Sequence, residues 1–154
     1  MTASAEEKLL ELGIALPESP PPAGLYSPCV QTGPLLFVSG QIPMKDGAVM
    51  RHGKCGESVS LEEGAGLARQ CTLQALAIVR QHLGTLDRVV RVARVAGYVA
   101  SAEGFIEHPR VINGASELLI DLFGEAGRSA RIAIGVAELP LGVPVEVEFL
   151  FEVR

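Results

Sequence analysis

The chain of 154 residues carries a formal net charge of −5, with 48% hydrophobic and 20% charged residues and a mean hydropathy of +0.32. This length accommodates one domain whose core folds without a disulfide or a metal, and the composition excludes intrinsic disorder of the chain's body. The acidic balance and the scattered basic residues argue against a nucleic-acid partner, which requires a stripe of Lys and Arg. A domain with this share of apolar residues and so few charged ones exposes apolar surface, so we expect it to bury some of that surface against copies of itself.

Targeting and redox features favour a cytoplasmic protein. The first residues, MTASAEEKLLELG, are charged and lack the apolar region of a signal peptide, and no apolar run approaches the ~20 residues that span a bilayer. The 3 cysteines are odd in number and include no C-x-x-C pair, which is typical of reduced thiols. None of the 3 histidines stands at ligand spacing from a cysteine or a carboxylate, so we expect no metal site.

The first third of the chain predicts a short helix, a connector and two strands. Residues 3–12 fit a helix that begins at a serine N-cap, and the prolines of 17–22 favour an extended connector. The apolar run 35–38 has glycines on both sides and predicts a buried strand. The dipeptide 46–47 (DG) is typical of a turn, after which the chain returns as a hairpin.

A long helix follows over residues 60–83. Ser60 and Glu63 have the spacing of a capping box, and Gly84 supplies the stop. Small and apolar residues recur at spacings of three and four, which predicts a buried stripe of Leu61, Ala65, Ala68, Thr72, Ala75, Val79 and Leu83. The small side chains allow this helix to lie close to a sheet.

The second half of the chain predicts three more strands and a second helix. Residues 88–100 are dense in valine and fit a strand, and a helix begins near Pro109 and ends at Gly124. Strands are expected over 130–137 and 145–153. The order β-β-α-β-α-β-β predicts an α+β fold, with one mixed sheet and both long helices on a single face.

The last two predicted strands carry the strongest chemical signal. In 145–153 the odd positions are apolar and three even positions are glutamates, so the glutamates share one face. In 130–137 the bulky residues are even, so we expect the face away from the core to carry Arg131, Ala133, Gly135 and Ala137. Small residues on such a face leave room for a ligand or a neighbouring subunit. The alternative is a solvated strand arginine that pairs with a glutamate such as Glu152.

Five further residues are candidates with ordinary structural alternatives. Glu146 is either a reactive carboxylate or a solvated strand glutamate, and Ser39 and Gly40 either line a site or simply end a strand. Asn113 either faces a ligand or serves the first turn of its helix through local hydrogen bonds. Tyr26 is either a cleft residue or a packing residue in a proline-flanked loop.

The order of these segments matches a known family. The segment 36–43 (LFVSGQIP) resembles the first-strand signature of the RidA family, also called the YjgF family. Residues 130–131 (AR), 136–140 (VAELP) and 145–148 (VEVE) are similar to its C-terminal signature, and 111–115 (VINGA) is similar to the start of its second helix.

The resemblance covers about residues 24–154, which we interpret as one RidA-like domain preceded by an N-terminal helix and proline-rich connector in 1–23. The extension resembles that of a subgroup of small bacterial members. The resemblance implies a chorismate-mutase-like fold assembled as a homotrimer, with active sites in the clefts between subunits. It also implies hydrolysis of reactive 2-enamines and 2-imines, such as 2-aminoacrylate, to 2-oxo acids and ammonia without a cofactor.

Position by position, Arg131 matches the family's substrate-carboxylate arginine and Glu146 its water-positioning glutamate. The cleft-lining positions match Tyr26, Ser39, Gly40 and Asn113. The family's cysteine two residues after the arginine is Ala133 here, which puts any role for a thiol in doubt. The resemblance implies a small 2-imino or 2-oxo acid and copies of this chain as partners.

Two other functions remain as alternatives. A non-catalytic protein that binds a 2-oxo acid or related carboxylate would need Arg131 but not Glu146. A ribonuclease, a label sometimes attached to the family, is disfavoured because the chain is acidic and lacks an aromatic and basic surface.

Spacing predicts how the two reactive residues meet. If 130–137 and 145–153 form a simple hairpin, Glu146 lies near its turn and Arg131 near its far end, roughly 20 Å away at ~3.3 Å per residue. Two such groups cannot contact one small substrate within one chain. We therefore expect a site that takes Arg131 from one subunit and Glu146 from another.

Overall fold

The computed structural model describes residues 3–154 as one α+β domain. Short 3₁₀ turns occur at Leu86–Arg88, Gly124–Gly127 and Pro140–Gly142. The helices and strands follow in the order α1 (Ala5–Glu11), β1 (Cys29–Thr32), β2 (Leu35–Gln41), β3 (Met44–Lys45), β4 (Ala48–Val49), α2 (Leu61–Leu83), β5 (Val89–Ala100), α3 (His108–Phe123), β6 (Ala130–Val136) and β7 (Val145–Val153).

Five strands form the main sheet in the order β1-β2-β7-β5-β6. Strands β5 and β6 are parallel and the other neighbours are antiparallel, so the sheet is mixed as predicted. Both long helices pack on one face of it. The sequence analysis missed β1, and the predicted turn at 46–47 joins β3 and β4 in a small separate hairpin.

The predicted signals for the ends of α2 are confirmed. The Ser60 hydroxyl accepts a hydrogen bond from the amide of Glu63 (3.1 Å), and the Glu63 carboxylate accepts one from the amide of Ser60 (2.8 Å). Gly84 ends the helix in the left-handed conformation with φ 85°. In α3 the whole predicted apolar face is buried, namely Val111, Ala115, Leu118, Leu119 and Leu122.

Helices α2 and α3 contact each other directly through their backbones. A Cβ atom at Gly114 would collide with the carbonyl group of Ala65. Because glycine alone permits this approach, α3 lies close to α2 and both lie against the sheet.

Strand β6 differs from the prediction in two ways. It does not form a hairpin with β7, because β5 lies between them. Its odd residues also face the helices, not away from the core: Arg131 is aligned with the buried Val95, and Ala133 packs against the core cluster. The bulky residues Ile132 and Ile134 occupy the helix-free face and are exposed.

The physical reason is the narrow space between β6 and α3. A Cβ atom at Gly135 would lie 2.5 Å from Nε2 of His108 on that helix, so small residues are required on this side. The interpretation that bulky residues mark the buried face fails here, because the helix-free face of the sheet is itself partly apolar.

The pairing of β5 with β7 is interrupted at two points. Register shifts occur between Val89 and Arg91 and between Val92 and Arg94, so that Val92 and Val95 are both buried. Bulges of this kind bend a strand and redirect its side chains.

The N-terminal helix docks on the core through Ala5 and Leu9, which are buried. Its Glu6 carboxylate accepts a hydrogen bond from the amide of Leu86 (2.9 Å), and Asp87 accepts one from the amide of Glu6 (3.1 Å). The division of the chain near residue 24 stays a prediction. In the described part of the chain, 3–154, no helix combines the length and apolarity needed to cross a membrane.

Candidate active site

Arg131 is held on the helix side of the edge strand β6 by three acceptors from α3. Its Nη1 donates to Oδ1 of Asn113 (2.8 Å) and to the hydroxyl of Ser116 (3.0 Å), and its Nη2 donates to the carbonyl of Pro109 (3.4 Å). Asn113 and Ser116 are three residues apart, so they lie on one face of the helix. The three bonds fix the plane of the guanidinium.

The charge of Arg131 has no carboxylate partner among residues 3–154. The alternative that it pairs with Glu152 is wrong, because Glu152 lies on β7 in register with Leu35 and Arg91, on the other face of the sheet. All three acceptors of Arg131 are neutral. The guanidinium therefore holds a positive charge that no carboxylate in residues 3–154 compensates, and a guanidinium can bind a carboxylate through parallel hydrogen bonds.

Glu146 lies on the helix-free face near the start of β7. Burial raises the pKa of its carboxyl above the usual range, and the negative charge of Glu148 adds to the rise. A Cβ atom at Gly40 would collide with Oε1 of Glu146, so the carboxylate lies directly against the backbone of β2. A half-buried carboxyl with a raised pKa is suited to proton transfer.

Ser39 and Tyr26 belong to the same region as Gly40. The Ser39 hydroxyl donates to the carbonyl of Ser27 (2.7 Å), and the Ser39 amide donates to the carbonyl of Pro28 (2.9 Å). These bonds tie the loop that bears Tyr26 to β2. The Tyr26 hydroxyl accepts a hydrogen bond from the amide of Ala23 (3.1 Å), and half of this residue is exposed.

A cleft of about 840 Å³ opens beside Gly40 and Tyr26. One wall is the proline-rich segment 15–23, and the other is the outer face of α2 with the β3–β4 hairpin. Leu141 stands at its edge. We call this space the proline cleft.

The six predicted site residues therefore form two groups. Arg131 and Asn113 lie together on the helix side of β6, whereas Glu146, Gly40, Ser39 and Tyr26 lie together around β2 and β7. Arg131 on β6 pairs with Val95 on β5, which pairs with Phe149 on β7, so Arg131 lies two strands away from β7. Phe149 is three residues after Glu146 along that strand. This places the two groups about 10 Å apart across the sheet and about 10 Å apart along it, on opposite faces.

Strands β6 and β7 do not form the hairpin that the spacing estimate assumed. Arg131 and Glu146 are nevertheless far apart within one chain, on opposite faces of the sheet. Arg131 and Glu146 do not face a common cleft within one chain.

Two polar residues of α3 on the helix side of β6 were not predicted from the sequence. Ser116 was detectable, because it stands one helical turn after Asn113. His108 was not, because only the tertiary structure brings its Nε2 to 3.0 Å from the Ser101 hydroxyl and over Gly135.

Thiols do not replace the missing family cysteine near Arg131. Cys55 and Cys71 are both buried and free, and burial raises the pKa of both thiols, that of Cys55 to about 11. Such thiols remain protonated and unreactive. Within residues 3–154, no group of three or more His, Cys, Asp or Glu side chains is arranged to hold a metal ion.

Comparison with known proteins agrees with the fold. The family model described as "YjgF/chorismate mutase-like, putative endoribonuclease" matches residues 6–153. The chain belongs to the YjgF/RidA family. Protein TCP17 of Trypanosoma cruzi is 44% identical over 147 residues, which cover 95% of this chain and 92% of that protein.

Two solved structures are similar over nearly the whole domain. A "putative endoribonuclease" from Shewanella oneidensis has a TM-score of 0.94 and 34% identity, covering 98% of this chain and 100% of that one. A protein with unknown function from Agrobacterium tumefaciens has a TM-score of 0.87 and 39% identity, covering 97% and 91%. The resemblance found in the sequence is thus confirmed for the family and the fold.

Proposed function

We propose that this protein is a cofactor-independent hydrolase of reactive 2-enamines and 2-imines of the 2-aminoacrylate type, which releases 2-oxo acids and ammonia. The observation that carries the proposal is the guanidinium of Arg131, held by three neutral acceptors with no carboxylate partner in residues 3–154. It is an oriented receptor for the carboxylate of a small acid.

The reaction requires little beyond positioning and one proton carrier. Protonation of the terminal carbon of 2-aminoacrylate gives an iminium, and water adds to its C2 carbon while a base takes one proton from that water. The proton then passes to the amino group, the C–N bond breaks as the new hydroxyl group loses its proton to solvent, which balances the proton taken up by the terminal carbon, and the products are pyruvate and ammonia. Arg131 holds the carboxylate, and Glu146 is the base and then the acid, a role that its raised pKa supports.

The active site in this proposal lies between subunits of a homotrimer. One subunit supplies Arg131 and Asn113, and its neighbour supplies Glu146, Gly40, Ser39 and Tyr26. The separation of these groups on opposite faces of one sheet supports such sharing. The helix-free face also carries exposed apolar side chains, Val30, Phe37, Ile132 and Ile134, which a second copy would cover.

Cytoplasmic placement is part of the proposal, and the free thiols of Cys29, Cys55 and Cys71 support it. RNA cleavage is not part of it, although the family description and three similar solved structures include the word endoribonuclease. A net charge of −5 gives the chain little attraction for phosphates.

The test generates 2-aminoacrylate with a separate dehydratase and follows 2-oxo acid release with wild type, Arg131→Ala and Glu146→Gln. We expect wild type to accelerate release and both variants to lose most of the acceleration while retaining the wild-type oligomeric mass. Binding of 2-oxo acids by wild type without any acceleration would favour the non-catalytic carboxylate-binding protein instead. Cleavage of RNA that survives Arg131→Ala would also contradict the proposal.

A further inference from the structure

Tyr98 lies beside Glu146 on the helix-free face of the sheet. In the antiparallel pairing of β5 with β7, Tyr98 stands directly opposite Glu146. The preceding residue, Gly97, faces the helices, since a Cβ atom there would collide with the side chain of Ile112 on α3. Successive side chains of a strand point to opposite faces, so Tyr98 points away from the helices. Directly opposed residues have Cβ atoms about 4.5–5.5 Å apart, which brings the phenol ring next to the Glu146 side chain.

Small residues surround this pair on the neighbouring strands. The residues two positions before and after Tyr98 on β5 are the buried alanines Ala96 and Ala100, whose side chains carry no polar atoms. On β2, Gly40 lies against the Glu146 carboxylate. The hydroxyl of Tyr98 is therefore the polar group that this part of β5 offers to Glu146.

The Glu146 side chain leans toward β2 and away from Tyr98. Its Oε1 occupies the space that a side chain at Gly40 would fill. Strands β2 and β5 lie on opposite sides of β7, so this position separates the carboxylate from the phenol hydroxyl. Two polar groups that face each other across such a space are commonly bridged by a water molecule.

The charges around Glu146 favour proton uptake by its carboxylate. Within residues 3–154 this carboxylate forms no ion pair, and Arg94 on the same face is engaged by Glu148 (3.4 Å). Burial and the charge of Glu148 raise the pKa of Glu146. A base of this kind accepts a proton from a water that lies within hydrogen-bond reach.

We propose that Tyr98 is a further residue of the reaction centre, where its hydroxyl oxygen and the Glu146 carboxylate together hold the water that attacks C2. The inference rests on the proposed function. The water donates one hydrogen to the carboxylate and the other to the phenol oxygen, which leaves a lone pair of the water oxygen for C2. As the new C–O bond forms, Glu146 takes the first of these protons and the phenol keeps its own. Tyr98 sets the direction of attack, and Arg131 of the neighbouring subunit holds the substrate's carboxylate.

Fluorescence tests the pairing of Tyr98 with Glu146 without any reaction. The chain has 2 tyrosines and no tryptophan, so the tyrosine emission of Tyr26→Phe comes from Tyr98 alone. An ionised carboxylate near a phenol quenches its emission, because the carboxylate accepts the phenol proton in the excited state. The emission should fall as the pH rises through the raised pKa of Glu146, and it should stay constant in Tyr26→Phe combined with Glu146→Gln. In Tyr26→Phe combined with Glu148→Gln the fall should persist at lower pH, because the charge of Glu148 raises the pKa of Glu146.

Kinetics test the role of the hydroxyl. Tyr98→Phe removes only the hydroxyl, so its oligomeric mass and melting temperature should match those of wild type. Its maximal rate of 2-aminoacrylate hydrolysis should fall about tenfold, the effect of one lost hydrogen bond. Calorimetric binding of pyruvate, which needs Arg131 and no attacking water, should be unchanged. Thr32→Val is the control and should keep the wild-type rate, because it removes an exposed hydroxyl from the edge strand β1, three strands away from β5.

The two possible failures are distinguishable. Hydrolysis by wild type at a rate that Tyr98→Phe leaves unchanged would overturn the inference and leave the proposed function standing. Absence of hydrolysis by wild type, with Tyr98 emission that still follows Glu146, would overturn the proposed function and the role of the water, and only the pairing would stand. Emission of Tyr98 that is indifferent to Glu146→Gln would overturn the inference. A loss of pyruvate affinity in Tyr98→Phe as large as the loss of rate would also overturn it, because Tyr98 would then bind the substrate and not the water.

Discussion

The backbone of Gly40 lies so close to the carboxylate of Glu146 that any side chain at residue 40 would collide with Oε1. The glycine near the end of β2 is therefore a steric requirement of the proposed base. The absence of a side chain at Gly40 leaves the space that the Glu146 carboxylate occupies. Glu146 keeps its half-buried position because residue 40 has no Cβ atom.

Replacement of this glycine is expected to impair catalysis more than folding. In Gly40→Ala the new methyl group displaces the Glu146 carboxylate, which is the movable end of a flexible side chain, so the melting temperature should change little. A displacement of about 1 Å in a catalytic group costs on the order of 100-fold in rate. Steady-state hydrolysis of 2-aminoacrylate measures the effect, with Gly66→Ala as control because a Cβ atom there meets nothing within 4 Å. Wild-type rates in Gly40→Ala would contradict a role for the carboxylate's position.

Glu146→Gln is expected to stabilise the protein at neutral pH. The pKa of Glu146 is raised in the folded state by burial and by Glu148, so the folded protein holds the proton more tightly than the unfolded chain. Wild-type stability consequently falls as the pH rises from the ordinary carboxyl pKa through the raised one, and glutamine cannot lose a proton. The gain of the variant should disappear at low pH, as measured by denaturant unfolding across pH. Glu152→Gln is the matched control, and an equal gain there would refute the assignment to residue 146.

Mixed trimers test the sharing of the site. Arg131→Ala and Glu146→Gln are each expected to be inactive alone, but a subunit of one variant can complete a site with its neighbour. Random assembly of equal amounts leaves about one quarter of the sites with both residues intact in a cyclic trimer. Co-expression with two affinity tags, followed by the 2-oxo acid assay, should recover about that fraction of wild-type activity. Absence of recovery in verified mixed trimers would place both residues in one subunit's site.

Two helix glycines are expected to respond to alanine in opposite directions. A Cβ atom at Gly114 collides with the Ala65 carbonyl of α2, and backbone cannot move aside cheaply, so Gly114→Ala should destabilise by about 1–3 kcal/mol or more. Gly66 lies exposed inside α2 with open space around it, so Gly66→Ala should stabilise by about 0.5–1 kcal/mol. Thermal and urea unfolding of both variants measures the difference. Similar effects at the two positions would show that the helices do not approach as closely as described.

Local features could be predicted from the sequence because local chemistry decides them. Ser60 and Glu63 cap α2 through their own side chains, and Gly84 ends it because only glycine adopts that conformation without strain. The buried face of α3 followed from its periodicity. The family signatures around Gly40, Asn113 and Arg131 supply the residues of the proposed site.

The faces of β6 and the partners of its residues were decided only by the tertiary structure. Whether Arg131 faces a helix or solvent depends on which strand lies beside β6, and β5 takes that place in a parallel pairing that residue alternation cannot reveal. The contact between His108 and Ser101 and the distance between Arg131 and Glu146 were likewise decided only by the tertiary structure. An acidic, apolar composition by itself predicted association with copies of this chain. The sheet supplies the physical reason why the proposed site needs them: it holds the two charged residues on opposite faces, where one substrate cannot contact both within one chain.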